Sequence, residues 1–438
     1  MASSINQIDH IVVIMLENRS FDHLLGYLYA GTDNVSPAGD AFDGLTGSET
    51  CPGPDGSPIR VYPIEPTTPN AYFMPGADPG EGYDNTNVQL FGAAAAPNSG
   101  AVATMDGFVT NYAKAITDNT RNGWYVFPGT TASMIMGCFT PETVPVLSSL
   151  ARGYAVCDQW FASVPTMTMP NRAFTCAGTS QGHMDDVTKL FTVPSIFGLL
   201  SQHGVTWKIY GYDRKPLTAM DFPDIAKAPA ADIGLFADFQ ADAASGRLPA
   251  YAFVEPSWSS TGNSQHPNYN VASGEQFLLD VYRALAAGPA WTSTLLIVTY
   301  DEHGGCYDHV PPPWGATPPD TSVGEFEFDF TRFGVRVPTV LVSPLIAAGT
   351  VFRVPDDSTP LDHTAILATV ERRWSLPALT RRDAAAPDVA GALTLSSPRT
   401  DDPLAGVTAP TPPANPTGLA ARASHLDQIR MELAARLD

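Results

Sequence analysis

The chain has 438 residues, 44% hydrophobic and 10% aromatic, enough apolar material for a large buried core and too much for a disordered protein. Acidic residues outnumber basic ones 45 to 24, giving a formal charge of -21. Such a chain repels polyphosphate backbones and anionic lipid sheets, so nucleic-acid binding by bulk electrostatics is excluded. Only 16% of residues are charged, against 36 Gly and 40 Pro, a balance expected of a globular enzyme with ordered loops and not of a helical bundle.

No stretch reaches the about 18–20 uninterrupted apolar residues that a membrane-spanning helix needs. Met1 to Gln7 lacks the basic start and apolar run of a secretory leader, so the expectation is a cytoplasmic chain, or a secreted one whose leader has been removed. The five cysteines (Cys51, Cys138, Cys157, Cys176 and Cys306) are odd in number, scattered and free of C-x-x-C pairs, which argues against a disulfide framework.

In chain order, the apolar run His10–Leu16 reads as a first strand, followed by the turn ENRS, with Ser20 suited to cap a helix over FDHLLGYLYA. Residues 30–100 are rich in Gly, Pro, Asn and Asp with weak periodicity, and read as an elaborated loop insertion. A helix over Val144–Gly153 then leads into a strand at 155–161. Helix–strand pairs follow: Pro194–His203 with VTWKIYG, Ile233–Ala244 with AYAFVEP, and Gly274–Ala287 with 293–300. A strand VRVPTVLV and a helix at 364–374 complete the alternation, which predicts one α/β domain over 1–375 with a central, mostly parallel sheet. Residues 376–417 are Ala/Pro-rich and read as a tether, and 418–438 as a C-terminal helix that packs back on the body.

In open parallel sheets, ligands bind beyond the carboxyl ends of the strands, so polar clusters at those ends are informative. Glu17-Asn18-Arg19-Ser20 follows the first strand, and Asp301-Glu302-His303 follows the strand ending at Tyr300. Between them Thr166–Arg172, TMTMPNR, follows the strand at 155–161. Glu17, Asp301 and Glu302 would repel one another at a shared edge, and a divalent cation would relieve that repulsion. Oxygen ligands favour Mg, Ca or Mn, and zinc also accepts carboxylates. Singly, each acid has an ordinary reading as a helix cap or as a partner of Arg19 or Arg172; together, at matching strand ends, they point to a site. Pro170 suits a first helical turn, which puts Thr168 at a helix N-terminus, where an anion is stabilised. Beside a metal its hydroxyl could act as a nucleophile. Among the nine histidines, His266 in the loop GNSQHPNYN, His303 after the acidic pair and His363 in LDHT all fall on loops at this edge, where an acid–base or phosphate-binding role becomes plausible. The spacing of His303, Cys306 and His309 is weakly metal-like, but Gly304-Gly305 between them reads as a turn.

The segments IVVIMLENRSFDHLLG, SVPTMTMPNR, VTYDEHGG followed by YDHVPPP, FGVRVPTVLVSP and DHTAILATVERRW, in this order from Ile8 to Trp374, resemble the bacterial and plant phosphoesterase family. That family holds the non-specific phospholipases C and related acid phosphatases, within the alkaline-phosphatase-like superfamily. The resemblance implies an alkaline-phosphatase-like α/β sandwich and one divalent metal ion (Ca, Mg, Mn or Zn) held by Glu17, Asn18, Thr168, Asp301 and Glu302. It implies Thr168 as nucleophile and His266 as the histidine that contacts phosphate and protonates the leaving alcohol. Asn18, Arg172, His303 and His363 enter as substrate-binding residues, with Asn171 and Arg172 also supporting the nucleophile loop. The implied activity is metal-dependent phosphoric ester hydrolysis of phospholipase C type, through a phosphothreonine, on a phosphate ester such as a phospholipid headgroup. The alternative is an acid-phosphatase-type phosphomonoesterase. The longer phospholipases of the family carry further β domains beyond the position of Trp374, where this chain has a tether and one helix. Gly178–Gly182 also matches G-x-S-x-G, which would make Ser180 the nucleophile of an esterase triad, but the segment before it reads as a helix where such an elbow needs a strand.

Overall fold

Helices cover both faces of the central sheet, and its middle strands are therefore apolar on both sides. Strand β1 (His10–Leu16) is fully buried after His10. The computed structural model describes residues 4–188 and 190–437; Met1, Ala2, Ser3, Lys189 and Asp438 lie outside the described residues. The other strands of the main sheet are β2 (Ala155–Cys157), β3 (Trp207–Gly211), β4 (Ile233–Leu235), β5 (Tyr251–Glu255), β6 (Thr294–Tyr300), β7 (Thr339–Val342) and β8 (Thr350–Val351). They form an 8-stranded sheet in the order β8-β2-β7-β6-β1-β5-β3-β4. Only β7 among them runs antiparallel to its neighbours β6 and β2, so the mixed α/β architecture with a mostly parallel sheet stands.

The register of β1 on β6 positions everything that follows. His10 pairs with Thr294 and Leu16 with Tyr300, so the two strands end side by side and Glu17-Asn18 emerges next to Asp301-Glu302. Helix α1 (Phe21–Leu25) follows β1, with Ser20 accepting from the His23 amide as expected of its cap.

Several elements depart from the sequence reading, each for a local reason. The strand expected at 155–161 is broken in two, because the buried Asp158 carboxylate turns away to Arg353 (2.7 and 2.5 Å) and the Asp43 amide (2.7 Å). Trp160–Phe161 then pairs with Leu361–Asp362 in a separate ribbon. The helix expected from Ile233 begins only at Phe236, the preceding three residues forming edge strand β4. In VRVPTVLV only Thr339–Val342 is strand, since Pro338 has no amide hydrogen to give and Arg336 turns inward. The 30–100 insertion is built around a second small core, in which Leu45, Cys51, Val61 and Leu90 meet Phe108 and Tyr112. It contains the helix Tyr83–Phe91, which its weak periodicity conceals.

The stretch 376–417 does not behave as a tether. Arg382 is buried, with Nε and Nη2 on Asp362 Oδ2 at 3.0 and 2.6 Å, and Val389, Ala392, Leu393 and Leu404 sit in the main core. Ala/Pro composition suggested a linker, but isolated apolar residues and one long-range ion pair pin the segment down. The terminal helix His425–Leu437 buries Leu426, Ile429 and Leu433 along one face.

Beneath the strand ends lies a buried ionic lock. Arg336 reaches Asp22 (2.9 Å) and Asp308 (3.0 Å), while His309 spans Asp22 (2.6 Å) and Asp43 (3.3 Å). Burial disfavours the charged imidazole, but the hydrogen bonds to Asp22 and Asp43 outweigh it and push His309 up to about 10. A basic group raised in the fold stabilises fully below its ordinary value of 6.5 and loses that contribution as pH rises through about 10. His309→Gln should therefore melt well below the parent at pH 6, with the gap closing near pH 10. Thermal melts of both proteins across that range are the check, and a gap independent of pH would contradict the lock.

Candidate active site

Asn18 leaves β1 in the left-handed conformation (φ 55°), which an asparagine tolerates, and so turns the chain at once across the strand ends. Its amide donates to Asp301 Oδ1 at 3.0 Å, stitching the loop after β1 to the loop after β6. Gly304 makes this approach sterically feasible: it has φ +61°, and a Cβ there would lie 2.0 Å from the Asn18 carbonyl oxygen. Asp301 Oδ1 also accepts the Glu302 amide (2.8 Å), and Oδ2 takes Arg172 Nε (2.9 Å). Arg172 Nη2 ties back to the carbonyls of Met15 and Leu16, both at 3.1 Å, and its guanidinium lies 4.4 Å from the Trp258 ring centre.

Arg172 belongs to the helix Thr168–Ala177, whose entry is braced by Asn171. The Asn171 side chain accepts from the Val164 amide (3.0 Å) and donates to the Thr166 and Met167 carbonyls (2.9 and 3.0 Å). Thr168 is thereby the first helical residue, and its hydroxyl donates to Asn18 Oδ1 at 3.3 Å. Glu17, Asn18, Thr168, Asp301 and Glu302 are all at least nine-tenths buried at this point of convergence.

The electrostatics are unbalanced. Burial, and then the charge of Asp301, push Glu17 up to about 8. Burial raises Glu302 well above the carboxylate range, with Glu81 and Asp301 adding to it. Burial likewise raises Asp301 against the pull of Arg172. Glu17 Oε2 and Glu302 Oε1 are buried without a hydrogen-bond partner. Orphaned carboxylate oxygens, an amide oxygen and a hydroxyl are donor types that a divalent cation takes, so these residues fit one by chemistry. Near them, the acids and histidines whose ligand atoms already lie within 4.8 Å of one another are Asp78, Glu81 and His266, and Glu81, Asp186 and His425.

His266 stands near this set, held through its own backbone. Arg19, fully buried, donates to the carbonyls of Gln265 (2.6 Å), His266 (3.0 Å) and Met74 (2.8 Å). The His266 ring stacks against Tyr269, Nδ1 lies 2.9 Å from the Pro267 carbonyl, and Nε2 lies 3.8 Å from Asp78 Oδ1. Burial lowers its pKa to about 3, so the ring is neutral with Nδ1–H on Pro267 and Nε2 free to accept.

His303 and His363, expected to bind substrate, are buried and engaged by protein groups. His303 is 1% exposed, with Nε2 on Gln89 (2.7 Å) and Nδ1 near Glu302 Oε2 (3.2 Å). His363 is fully buried, with Nε2 on the Asp301 carbonyl (2.6 Å) and Nδ1 facing Trp160 Nε1 (3.4 Å). Burial drives them to about 3 and about 4, so both are neutral supports behind the carboxylates. Arg172 is likewise engaged on Asp301 and the β1 end, with only Nη1 unpaired. Ser180 follows a helix, and its hydroxyl donates to the His183 carbonyl (2.7 Å) in a loop, which is not an elbow.

Four side chains absent from the sequence reading complete the wall. Glu81 Oε2 accepts from Asn18 Nδ2 at 2.5 Å, and Asp78 faces His266. Asp186 Oδ1 accepts the Met169 amide at 2.7 Å, just beyond Thr168. His425 opens the terminal helix and lies 3.4 Å from Asp186. Burial pushes Asp78 up to about 7 and Glu81 well above its ordinary range. The signals available were faint: an acid between glycines in Gly80-Glu81-Gly82, and a histidine after a capping Ser424.

Residues 8–377 match the Phosphoesterase family. Over 416 residues the chain is 35% identical to non-specific phospholipase C6 of Arabidopsis thaliana, covering 90% of this chain and 74% of the relative. It is 28% identical over 439 residues to phospholipase C A of Mycobacterium tuberculosis, covering 90% and 78%. A solved structure of an alkaline phosphatase superfamily protein from Vibrio parahaemolyticus overlaps 57% of this chain and 65% of that one, at 12% identity and a TM-score of 0.36.

Carboxyls raised in the fold bind protons that the unfolded chain has released, so in chelator-treated protein stability should fall as pH rises from about 4.5 through about 8. Glu302→Gln keeps an acceptor for the Gly304 amide (2.7 Å) while removing one charge. It should stabilise the metal-free protein at pH 8 by about 1–3 kcal/mol and change little at pH 5. Melts in EDTA at both pH values are the check.

Proposed function

The chain belongs to the Phosphoesterase family and is a phosphoric ester hydrolase, and on that premise we propose that it is phospholipase C-like, metal-dependent and acts through a phosphothreonine at Thr168. The observation that carries this reading is the Thr168 hydroxyl at the start of a helix, hydrogen-bonded to Asn18 beside buried, unpaired carboxylate oxygens. The diester preference draws on the phospholipase C relatives.

A divalent ion held by Glu17, Asn18, Thr168, Asp301 and Glu302 would supply hydroxyl acidification and charge neutralisation. The remaining work belongs to the chain. Thr168 opens a helix whose positive end favours negative charge beside its hydroxyl, while the Met169 amide is taken by Asp186 (2.7 Å). Asn18 orients the Thr168 oxygen, which attacks phosphorus in line as the P–O bond to the alcohol breaks. His266, neutral at rest, must gain a proton before it can serve the departing alkoxide. Asp78, raised to about 7 and 3.8 Å away, is the group positioned to share one. Water then opens the phosphothreonine with His266 Nε2 accepting its proton. Two in-line displacements retain configuration at phosphorus. No helix among the described residues is long and apolar enough to cross a membrane, so a lipid substrate would be met at a surface or in a micelle.

Thr168→Ala should lose about 10³-fold or more in kcat while still binding metal. Chromogenic phosphomonoester and phosphodiester assays with and without EDTA test the class: chelator-sensitive diester cleavage supports the phospholipase C-like reading. Cleavage of the monoester alone would make it an acid-phosphatase-type enzyme. Substantial activity in Thr168→Ala would remove the phosphothreonine.

A further inference from the structure

The C-terminal helix does more than cover apolar surface. Ser424 accepts the Asp427 amide (3.0 Å) and donates to the Trp258 carbonyl, fixing the first turn against the residue that stacks on Arg172. His425, next in line, is thus aimed at the wall of the active site. Its Nδ1 lies 3.4 Å from Asp186 Oδ2, and with Glu81 the trio offers ligand atoms all within 4.8 Å of one another.

Asp186 supplies a second, separate observation. Its side chain is 1% exposed, yet only Oδ1 has a well-formed hydrogen bond, to the Met169 amide, while Oδ2 has just the 3.4 Å contact with His425 and turns towards the trio. A buried carboxylate oxygen in that state favours a positive charge opposite it. We propose that Glu81, Asp186 and His425 form a second cation site, for a zinc-class divalent ion, that clips the C-terminal helix to the active-site wall.

One imidazole and two carboxylates are a nitrogen–oxygen set that suits zinc and leaves a fourth position for water. Bonds of about 2.0–2.2 Å put tetrahedral ligand atoms about 3.4 Å apart, so the trio has only to close by side-chain rotation. Without an ion, burial opposes charge on His425, but Asp186 outweighs it and raises its pKa, which favours the charged imidazole. Zinc would take the neutral imidazole and release that proton. Since Asp186 also holds the amide after Thr168, the ion would couple the helix position to the nucleophile. Its three ligands differ from the strand-end set, which it adjoins through the Glu81–Asn18 hydrogen bond (2.5 Å).

The test uses full-length protein stripped with chelator and titrated with Zn²⁺ by calorimetry, with elemental analysis after desalting. Parent protein should bind a zinc equivalent that His425→Ala loses and Glu302→Gln keeps, with a second equivalent lost in Glu302→Gln if the strand-end set also takes zinc. Weakening at the His425 site should be about 10-fold or more. Hydrogen exchange over 418–437 gives a readout independent of turnover: zinc should slow it in the parent and in Glu302→Gln, but not in His425→Ala. A single equivalent that His425→Ala retains would overturn the clip and leave the strand-end set standing. No zinc binding by the parent would overturn the clip, and zinc-independent exchange over 418–437 would overturn it whatever the stoichiometry.

Discussion

The molecule is organised around a shortage of positive charge. The parallel register of β1 and β6 ends both strands at one edge, and each strand delivers acids there: Glu17 from one, Asp301 and Glu302 from the other. Glu81, Asp78 and Asp186 then approach from other segments, so carboxyl groups crowd a largely buried space. Arg172 is hydrogen-bonded to Asp301 alone, and burial raises the proton affinity of Glu17, Asp78, Glu81 and Glu302, which favours their neutral forms unless a cation stands among them. Such a cluster is costly to bury uncompensated, and a fold that retains it gains something from a cation or from chemistry. The left-handed Asn18, the side-chain-free Gly304 and the inward Arg19 are the backbone and side-chain adjustments that let these acids converge.

Burial sorts the histidines by function more sharply than sequence position does. His266, His303 and His363 lie in surroundings that expel charge, and each is neutral with its tautomer fixed by a backbone or side-chain contact. His309 and His425 have carboxylates against them, which raise the pKa of both and favour their charged forms. The neutral group shapes and serves the site, holding Asp301 and Glu302 and offering one open nitrogen at His266. The other pair holds segments together: His309 locks the insertion to α1, and His425 faces Asp186 from the terminal helix.

How much of this was readable from sequence follows from range. β1, β6 and the helix Thr364–Trp374 carry their period within themselves, and they appear at or within a residue of where the pattern put them. That the segments after β1 and β6 meet was legible because strand ends in a parallel sheet share an edge, and the place of Thr168 at a helix start because Pro170 marks a first turn. Asp78 and Glu81 were not, since their insertion has no periodicity and its helix Tyr83–Phe91 is held by a satellite core that no local pattern reveals. His303 and His363 lie at the expected edge, but the partners that bury them were not legible. Spacing fixes which strand end a residue follows, whereas the direction its ring takes depends on distant partners such as Gln89 and Trp160.

The same reasoning changes the status of the last sixty or so residues. By composition 376–417 is a spacer, yet its Arg382 lies in the core between Asp362 and the Ser163 carbonyl, two residues from the ribbon that carries His363 to Asp301. Beyond it, Leu419 is buried with Phe73, Phe127 and Tyr269, the ring that stacks on His266. Each of these contacts joins residues far apart in the chain, so none has a local signature, and each ends one step from a catalytic candidate. The tail is therefore part of the frame that sets the site's geometry. A substitution there would act on the chemistry through position, as a shift in how Thr168, His266 and the carboxylates face one another, without touching any of them.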